Sequence, residues 1–219
     1  MNGAADRHGR NPEAQPDPEL RAAASAIFRR GLAAADGYDA VRRAIEVRGE
    51  SLHFRGSAGT AGATAVYAAT GRVWVVGAGK ASAVMAAAAE QALGERVAGG
   101  AVCVRRGHGS PLTRIDLFEG GHPLPDAAGA RGARAIRRTV RGARERDLVL
   151  NLVSGGGSAL LPPPAPGIRL EALRRTTELL LLAGAGIHEL NAVRKHLTLL
   201  AGGGLAALAR GPVVSLIVS

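Results

Sequence analysis

Val73-Trp74-Val75-Val76-Gly77-Ala78-Gly79-Lys80 is the stretch that decides how this chain folds. Four consecutive apolar residues, three of them β-branched, leave no polar face, so the run reads as a strand buried on both sides. Glycines 77 and 79 then free the backbone to turn, and Lys80–Leu93 is alanine-rich with strong helical propensity. The same rhythm returns downstream. Gly100–Val104, Ile115–Phe118, Asp147–Val153 and Val213–Val218 read as further strands. A helix capped by Asp126 runs to about Arg146, Leu170–Gly184 and Ile187–Leu200 are helical, and a short helix follows the break at Gly202–Gly204. This alternation predicts an α/β fold built on a doubly wound, mostly parallel sheet. Ahead of it, Pro18–Ala35 and Asp39–Val47 have helical spacing, with Leu20, Ala24, Ile27 and Leu32 on an inner face, and Gly56–Gly62 is a small-residue loop. Residues 1–17 read as a disordered leader and 18–219 as one domain.

Composition narrows the class. Hydrophobic residues make up 47% of the chain, enough for a real core. The single cysteine, Cys103, excludes an internal disulfide framework and suits a reducing compartment. It lies within the apolar run Ala101–Val104, where it packs rather than reacts. No secretory signal heads the chain, and no run approaches the ~18 apolar residues of a membrane span, so a cytoplasmic protein without a membrane partner is expected. The net charge of +10 invites a nucleic-acid reading, but the arginines of Arg131–Arg146 are spread along a helix and broken by Glu145. Aromatics are only 3% of the chain, too few for stacking on single strands. These arginines read as a solvated face, with no nucleic-acid partner, and their field assists anionic substrates.

In a doubly wound sheet the functional loops lie beyond the carboxyl ends of the strands. Four candidate segments start there: Gly77–Lys80, Arg105–Gly109, Gly120–Asp126 and Ser154–Ser158. In Ser154-Gly155-Gly156-Gly157-Ser158, consecutive glycines let the backbone curl until successive N–H groups converge on an anion, with two serine hydroxyls as added donors. Gly77–Lys80 likewise joins a strand to a helix, whose amino terminus favours negative charge. It is not a Walker A loop, and Ser82 stands where a dinucleotide fingerprint wants its third glycine. Arg105 and Arg106 occupy the place of the ribose-binding acid, which restricts any dinucleotide reading to a phosphorylated one. No histidine pair has zinc-ligand spacing, so no metal site is assigned. His188-Glu189-Leu190-Asn191-Ala192-Val193-Arg194-Lys195-His196 is a dense polar run whose Asn191, Arg194 and Lys195 share about one helical turn. Only two of the 28 basic residues are lysines, Lys80 and Lys195, and each sits within one of these motifs.

Taken together, Val76–Ala81, Gly107-His108-Gly109, Gly121–Asp126, Ser154–Leu161 and His188–Leu197 resemble the glycerate 2-kinase family, which also carries a hydroxypyruvate reductase label. The resemblance covers Pro18 to Ser219. It implies a Rossmann-like amino-terminal domain, a smaller second domain, and ATP- and Mg²⁺-dependent phosphorylation of D-glycerate at the 2-hydroxyl to give 2-phosphoglycerate. On that resemblance, Lys80 faces the transferring phosphoryl group, and Arg194 and Lys195 bind substrate carboxylate or phosphate. Gly77, Gly79, Ser154, Gly155, Gly156, Gly157 and Ser158 cradle phosphate or nucleotide, and Asn191, His108 and His122 orient the substrate. Family members often have a lysine where this chain has Arg105-Arg106. They continue past the last strand into an Asp-x-x-Gly-Asp loop and the second domain. The expectation is therefore an incomplete, inactive amino-terminal portion whose partner is the missing carboxy-terminal domain. Two alternatives stay open: an NADP-dependent hydroxypyruvate reductase, and a non-catalytic anion-binding module.

Overall fold

A computed structural model describes residues 17–56, 64–68 and 71–218. Residues 1–16 of the predicted leader and 57–62 of the predicted loop lie outside the described residues. The chain divides at Asp36/Gly37 into two compact units. In the first, Pro18–Ala34 form helix α1, started by Pro18 at its first position and by the Asp17 carboxylate, which accepts from the Glu19 amide at 2.9 Å. The apolar face predicted for it is present, yet α1 buries none of its residues.

The second unit opens with α2 (Gly37–Ala44) and an antiparallel three-stranded sheet of β1 (Ile45–Arg48), β2 (Ser51–Arg55) and β3 (Thr64–Ala68). The sequence reading carried a helix on to Val47. Instead the chain becomes extended at Ile45, because pairing Ile45 with Phe54 and Val47 with Leu52 lets alternate side chains of a hairpin pack inward. Gly49, at φ +55°, makes the two-residue turn possible.

The main sheet contains β4 (Val73–Ala78), β5 (Val97–Arg105), β6 (Ile115–Gly120), β7 (Leu148–Val153) and β8 (Val213–Ile217), in the order β6-β5-β4-β7-β8 and parallel throughout. Helix α3 (Ser82–Leu93) covers one face, where Met85, Ala89 and Leu93 pack on Val73, Val75, Leu150 and Leu152. Helix α4 (Ala127–Gly142) covers the other, where Ala133, Ile136 and Val140 meet Val76, Ala101, Cys103 and Val149. The expected doubly wound α/β architecture is thus present. The chain builds outward from β4 to β6, then returns to place β7 on the opposite side of β4. The connections that follow β4 and β7 therefore run to opposite sides of the sheet, and the carboxyl ends of these two strands form the topological switch point.

Two buried or bonded carboxylates hold this frame. Asp147, 5% exposed, accepts from the Arg72 amide at 3.0 Å, Trp74 Nε1 at 3.2 Å and the Arg144 amide at 2.9 Å, joining the starts of β4 and β7. Glu90 on α3 accepts from the amides of Thr113, Arg114 and Ile115, fixing the helix-free return from β5 to β6. After β7 come α5 (Gly157–Leu160), α6 (Leu170–Leu182), α7 (Ile187–Leu197) and α8 (Gly204–Leu208). The amide of Ala165 donates to Leu197 O and that of Leu199 to Pro163 O, binding the end of α7 to the proline-rich connection. No helix among the described residues is long and apolar enough to cross a membrane.

Candidate functional site

Accounting for the backbone donors at the switch point separates two glycine motifs that look alike in sequence. In the turn after β4, Gly79 N donates to Cys103 O at 3.1 Å and Lys80 N to Gly155 O at 2.9 Å. Ala81 N donates to Ser154 Oγ at 3.0 Å and Ser82 N to Gly79 O at 3.2 Å. Every amide from Gly79 to Ser82 is therefore used internally, and the turn does not offer the row of free donors expected of it. Its glycines serve close packing. A Cβ on Gly77 would stand 2.4 Å from Leu152 O, and one on Gly79 would stand 2.2 Å from Ser154 Oγ.

Ser154 also departs from the expected role. It is 7% exposed, and its hydroxyl accepts from Ala81 N and lies 3.4 Å from Ser82 Oγ. It ties the β4 and β7 loops together rather than facing a ligand. Gly157 likewise packs its Cα against the β4 end, where a Cβ would come within 2.7 Å of Ala78 O. The donors left over include those of Gly155 and Gly156, whose amides have no acceptor among the described residues.

Gly156 is where the predicted side chains meet. It has φ +87°, and a Cβ placed there would lie 2.8 Å from His122 Nε2, 2.9 Å from His122 Cδ2 and 3.7 Å from Lys80 Cε. The Lys80 side chain and the His122 ring thus flank one glycine of the β7 loop. Burial lowers the His122 pKa from its ordinary value, and the positive charges of Lys80, Arg105, Arg194 and His108 lower it further. The imidazole is neutral at pH 7. Four of the sequence-predicted residues, Lys80, His108, His122 and Arg194, therefore share one electrostatic neighbourhood, with Arg105 added. Arg105 had a sequence signal, the Arg-Arg pair at the end of β5, but that reading tied it to a dinucleotide.

Arg194 is 6% exposed, donates to Pro123 O at 3.4 Å, and has no hydrogen-bond partner for its Nε. No carboxylate pairs with it among the described residues. Burial lowers its pKa from the usual value, yet a guanidinium remains charged in water-accessible pH ranges. A charge held this way favours an incoming anion. Asp126, the acid at the end of the His122 loop, is already committed. It caps α4 through the Gly129 amide at 2.8 Å and pairs with Arg106. Burial raises its pKa, but the Gly129 and Gly121 amides and Arg106 outweigh this and leave it below the ordinary carboxylate range. Lys195 and Asn191 are exposed on α7, and Lys195 Cβ lies 3.5 Å from the place of a Cβ on Gly202. Nothing in the contacts brings these two to the Gly156 neighbourhood, because successive residues on a helix are ~100° apart and Arg194 alone turns inward.

A family model described as Domain of unknown function (DUF4147) matches residues 23–219. The chain belongs to this family. The glycerate 2-kinase of Pyrococcus horikoshii is 41% identical to this DUF4147 chain over 188 residues, covering 86% of this chain and 40% of that protein. A crystal structure of a protein from the same organism superimposes with TM-score 0.78 at 39% identity, over 90% of this chain and 43% of that one. The crystal structure of glycerate kinase from Thermotoga maritima gives TM-score 0.73 at 32% identity, over 93% and 45%. The DUF4147 chain thus spans less than half the length of these relatives, with the same α/β fold.

The donor set also bears on metal binding. Among the described residues no group of three histidine, cysteine, aspartate or glutamate side chains converges. The Gly156 neighbourhood offers cations and amides, and its one carboxylate is held by Arg106. These residues do not fit a magnesium ion, which requires oxygen ligands.

Proposed function

We propose that this DUF4147 chain binds the anionic groups in an ATP-dependent phosphorylation of D-glycerate at the 2-hydroxyl, yielding 2-phosphoglycerate. The observation that carries the reading is the meeting of Lys80 and His122 beside Gly156, on a loop with free amides, with the buried charge of Arg194 acting on the same ring. Phosphoryl transfer depends mainly on positioning and charge neutralisation, since the transferred group carries its charge on three equatorial oxygens. The hydroxyl oxygen forms a bond to the γ-phosphorus while the bond to the β–γ bridging oxygen breaks, and ADP leaves with that electron pair. Lys80 neutralises the transferring group, Arg194 holds the substrate carboxylate, and the Gly155 and Gly156 amides take phosphate oxygens. His108 and His122 orient the acid. Asn191 and Lys195 are assigned to the rim. Ser154, Gly77, Gly79 and Gly157 set the geometry of the loops, and Ser158 opens the following turn.

The residues here do not compose a magnesium site, so the metal would come with the nucleotide phosphates. We place the protein in the cytoplasm, where its single buried thiol needs no oxidising environment. The amide accounting weighs against the dinucleotide reading, because the turn after β4 has no free donors for a pyrophosphate.

The test is ³¹P NMR of this chain joined to a carboxy-terminal domain of the length its relatives have, in a mixture with ATP, Mg²⁺ and D-glycerate. A 2-phosphoglycerate resonance is expected, and Lys80→Met should reduce its rate by at least about 100-fold with an unchanged unfolding transition. Formation of 3-phosphoglycerate, absence of transfer, or oxidation of NADPH by hydroxypyruvate would each overturn the proposal.

A further inference from the structure

His122 sits among positive groups supplied by four segments of the fold. Lys80 comes from the turn after β4, Arg105 from the end of β5, His108 from the β5–β6 return, and Arg194 from α7. The Gly155–Gly157 loop, which touches the ring, contributes no ionisable group. The only acid on its own loop, Asp126, is paired with Arg106 and bonded to the Gly129 amide. The ring packs on this loop, with Nε2 2.8 Å from the place of a Cβ on Gly156.

We infer that His122 changes charge with occupancy, neutral in the ligand-free protein and taking up one proton from solvent when an anion settles beside Gly156, Lys80 and Arg194. This rests on the reading of the cluster as an anion site, and deepens it. Burial and then the surrounding positive charges disfavour the protonated ring; an anion of charge two offsets the charges and offers an acceptor for the new N–H. His122 is then a proton-linked ligand. It adds a charge-assisted hydrogen bond to the bound state alone, and it makes affinity depend on pH near neutrality. The direction follows from linkage. The bound state has the higher pKa, so affinity is greatest below the free-protein value, falls as pH rises between the two, and levels off above the bound value.

Sulfate is the appropriate probe, because it stays a dianion throughout this range whereas phosphate titrates within it. The His122 Cε1–H resonance is followed by NMR from about pH 5 to about pH 8, with and without sulfate. Sulfate should raise the midpoint by about one unit, equivalent to a tenfold fall in sulfate affinity across the window. In His122→Asn the pH dependence should vanish while weaker binding persists, and in His53→Asn, on strand β2 outside the cluster, it should remain. The wild-type titration decides the matter even if the His122 variant fails to fold. Sulfate binding with an unmoved His122 midpoint overturns this inference and leaves the anion site standing. Loss of the pH dependence in His53→Asn instead also overturns it. No sulfate binding at all overturns the anion site itself, and with it the proposed function.

Discussion

Gly155 and Gly156 are neighbours in one loop, yet alanine should affect them in opposite ways. At Gly155 the φ is not in the left-handed region and a Cβ meets nothing within 4 Å. At Gly156 the φ is +87°, and the Cβ would press on His122 at 2.8 and 2.9 Å, contacts that real Cβ atoms essentially never make. Placing a β-carbon in the left-handed region costs about 1–2 kcal/mol. The ring must also withdraw by roughly 0.5 Å or more to restore an ordinary carbon contact of ~3.5 Å. Gly156→Ala should therefore lower unfolding stability by about 1–3 kcal/mol and weaken sulfate binding by separating His122 from Lys80 and the loop amides. Gly155→Ala should stay within about 0.5 kcal/mol of the parent and bind sulfate unchanged, since it keeps its N–H. Urea unfolding gives the first quantity and calorimetric titration with sulfate the second. Equal effects at the two positions would refute the account of Gly156 as the point where ring, lysine and loop are forced together.

Asp147→Asn should cost about 2–4 kcal/mol at neutral pH, because the amide NH₂ that replaces one oxygen cannot accept from the Trp74 indole or the backbone. Burial raises the Asp147 pKa, but the Arg144 and Arg72 amides and the indole more than reverse that. Its stabilisation is thus full above the unfolded carboxylate pKa and is lost as pH falls through the lower folded value. Trp74 is the only tryptophan and bonds to this carboxylate, so acid-unfolding fluorescence should show a steep loss below about pH 4 in the parent and a shallower one in the variant. Cys103 is fully buried and its thiol is pushed up to about 12, so alkylation at neutral pH should track global unfolding rather than proceed on the native protein.

The sheet was legible because its strands are continuous apolar runs, a pattern that needs no tertiary information. The β1–β2 hairpin was not, because Ile45-Glu46-Val47-Arg48 fits either period over so short a span and only pairing with β2 selects the extended form. The site was legible in its residue types and in its place beyond the strand ends. Its division of labour was not. Gly79 and Gly155 read alike as loop glycines, but the donors of the first turn are consumed by Cys103 O, Gly155 O and Ser154 Oγ, all distant in sequence. The same applies to Arg194 and Lys195. Helical spacing puts them on adjacent faces, and only the packing of α7 against the proline-rich connection decides which one turns inward.

Arg194 shows what that inward turn costs. A guanidinium that is 6% exposed, with an unpartnered Nε and no carboxylate paired with it among the described residues, has lost much of its hydration without a full replacement. Its one protein acceptor, Pro123 O, is at 3.4 Å, the long end of a hydrogen bond. Replacing a buried charged group by an apolar one of similar shape is often stabilising, by about 1–4 kcal/mol. Arg194→Met should accordingly raise the unfolding free energy of the ligand-free protein by about 1–2 kcal/mol, an unusual sign for a core substitution. Sulfate should reverse the ranking. In the parent, a ligand at 100 times its dissociation constant adds about 2.7 kcal/mol, whereas the variant, lacking the buried charge, should gain little. Urea unfolding of both proteins with and without sulfate measures all four values. Were Arg194→Met destabilised without sulfate, the guanidinium would be a structural brace satisfied by its surroundings. The crossing of the two stabilities is what a charge retained for a ligand requires.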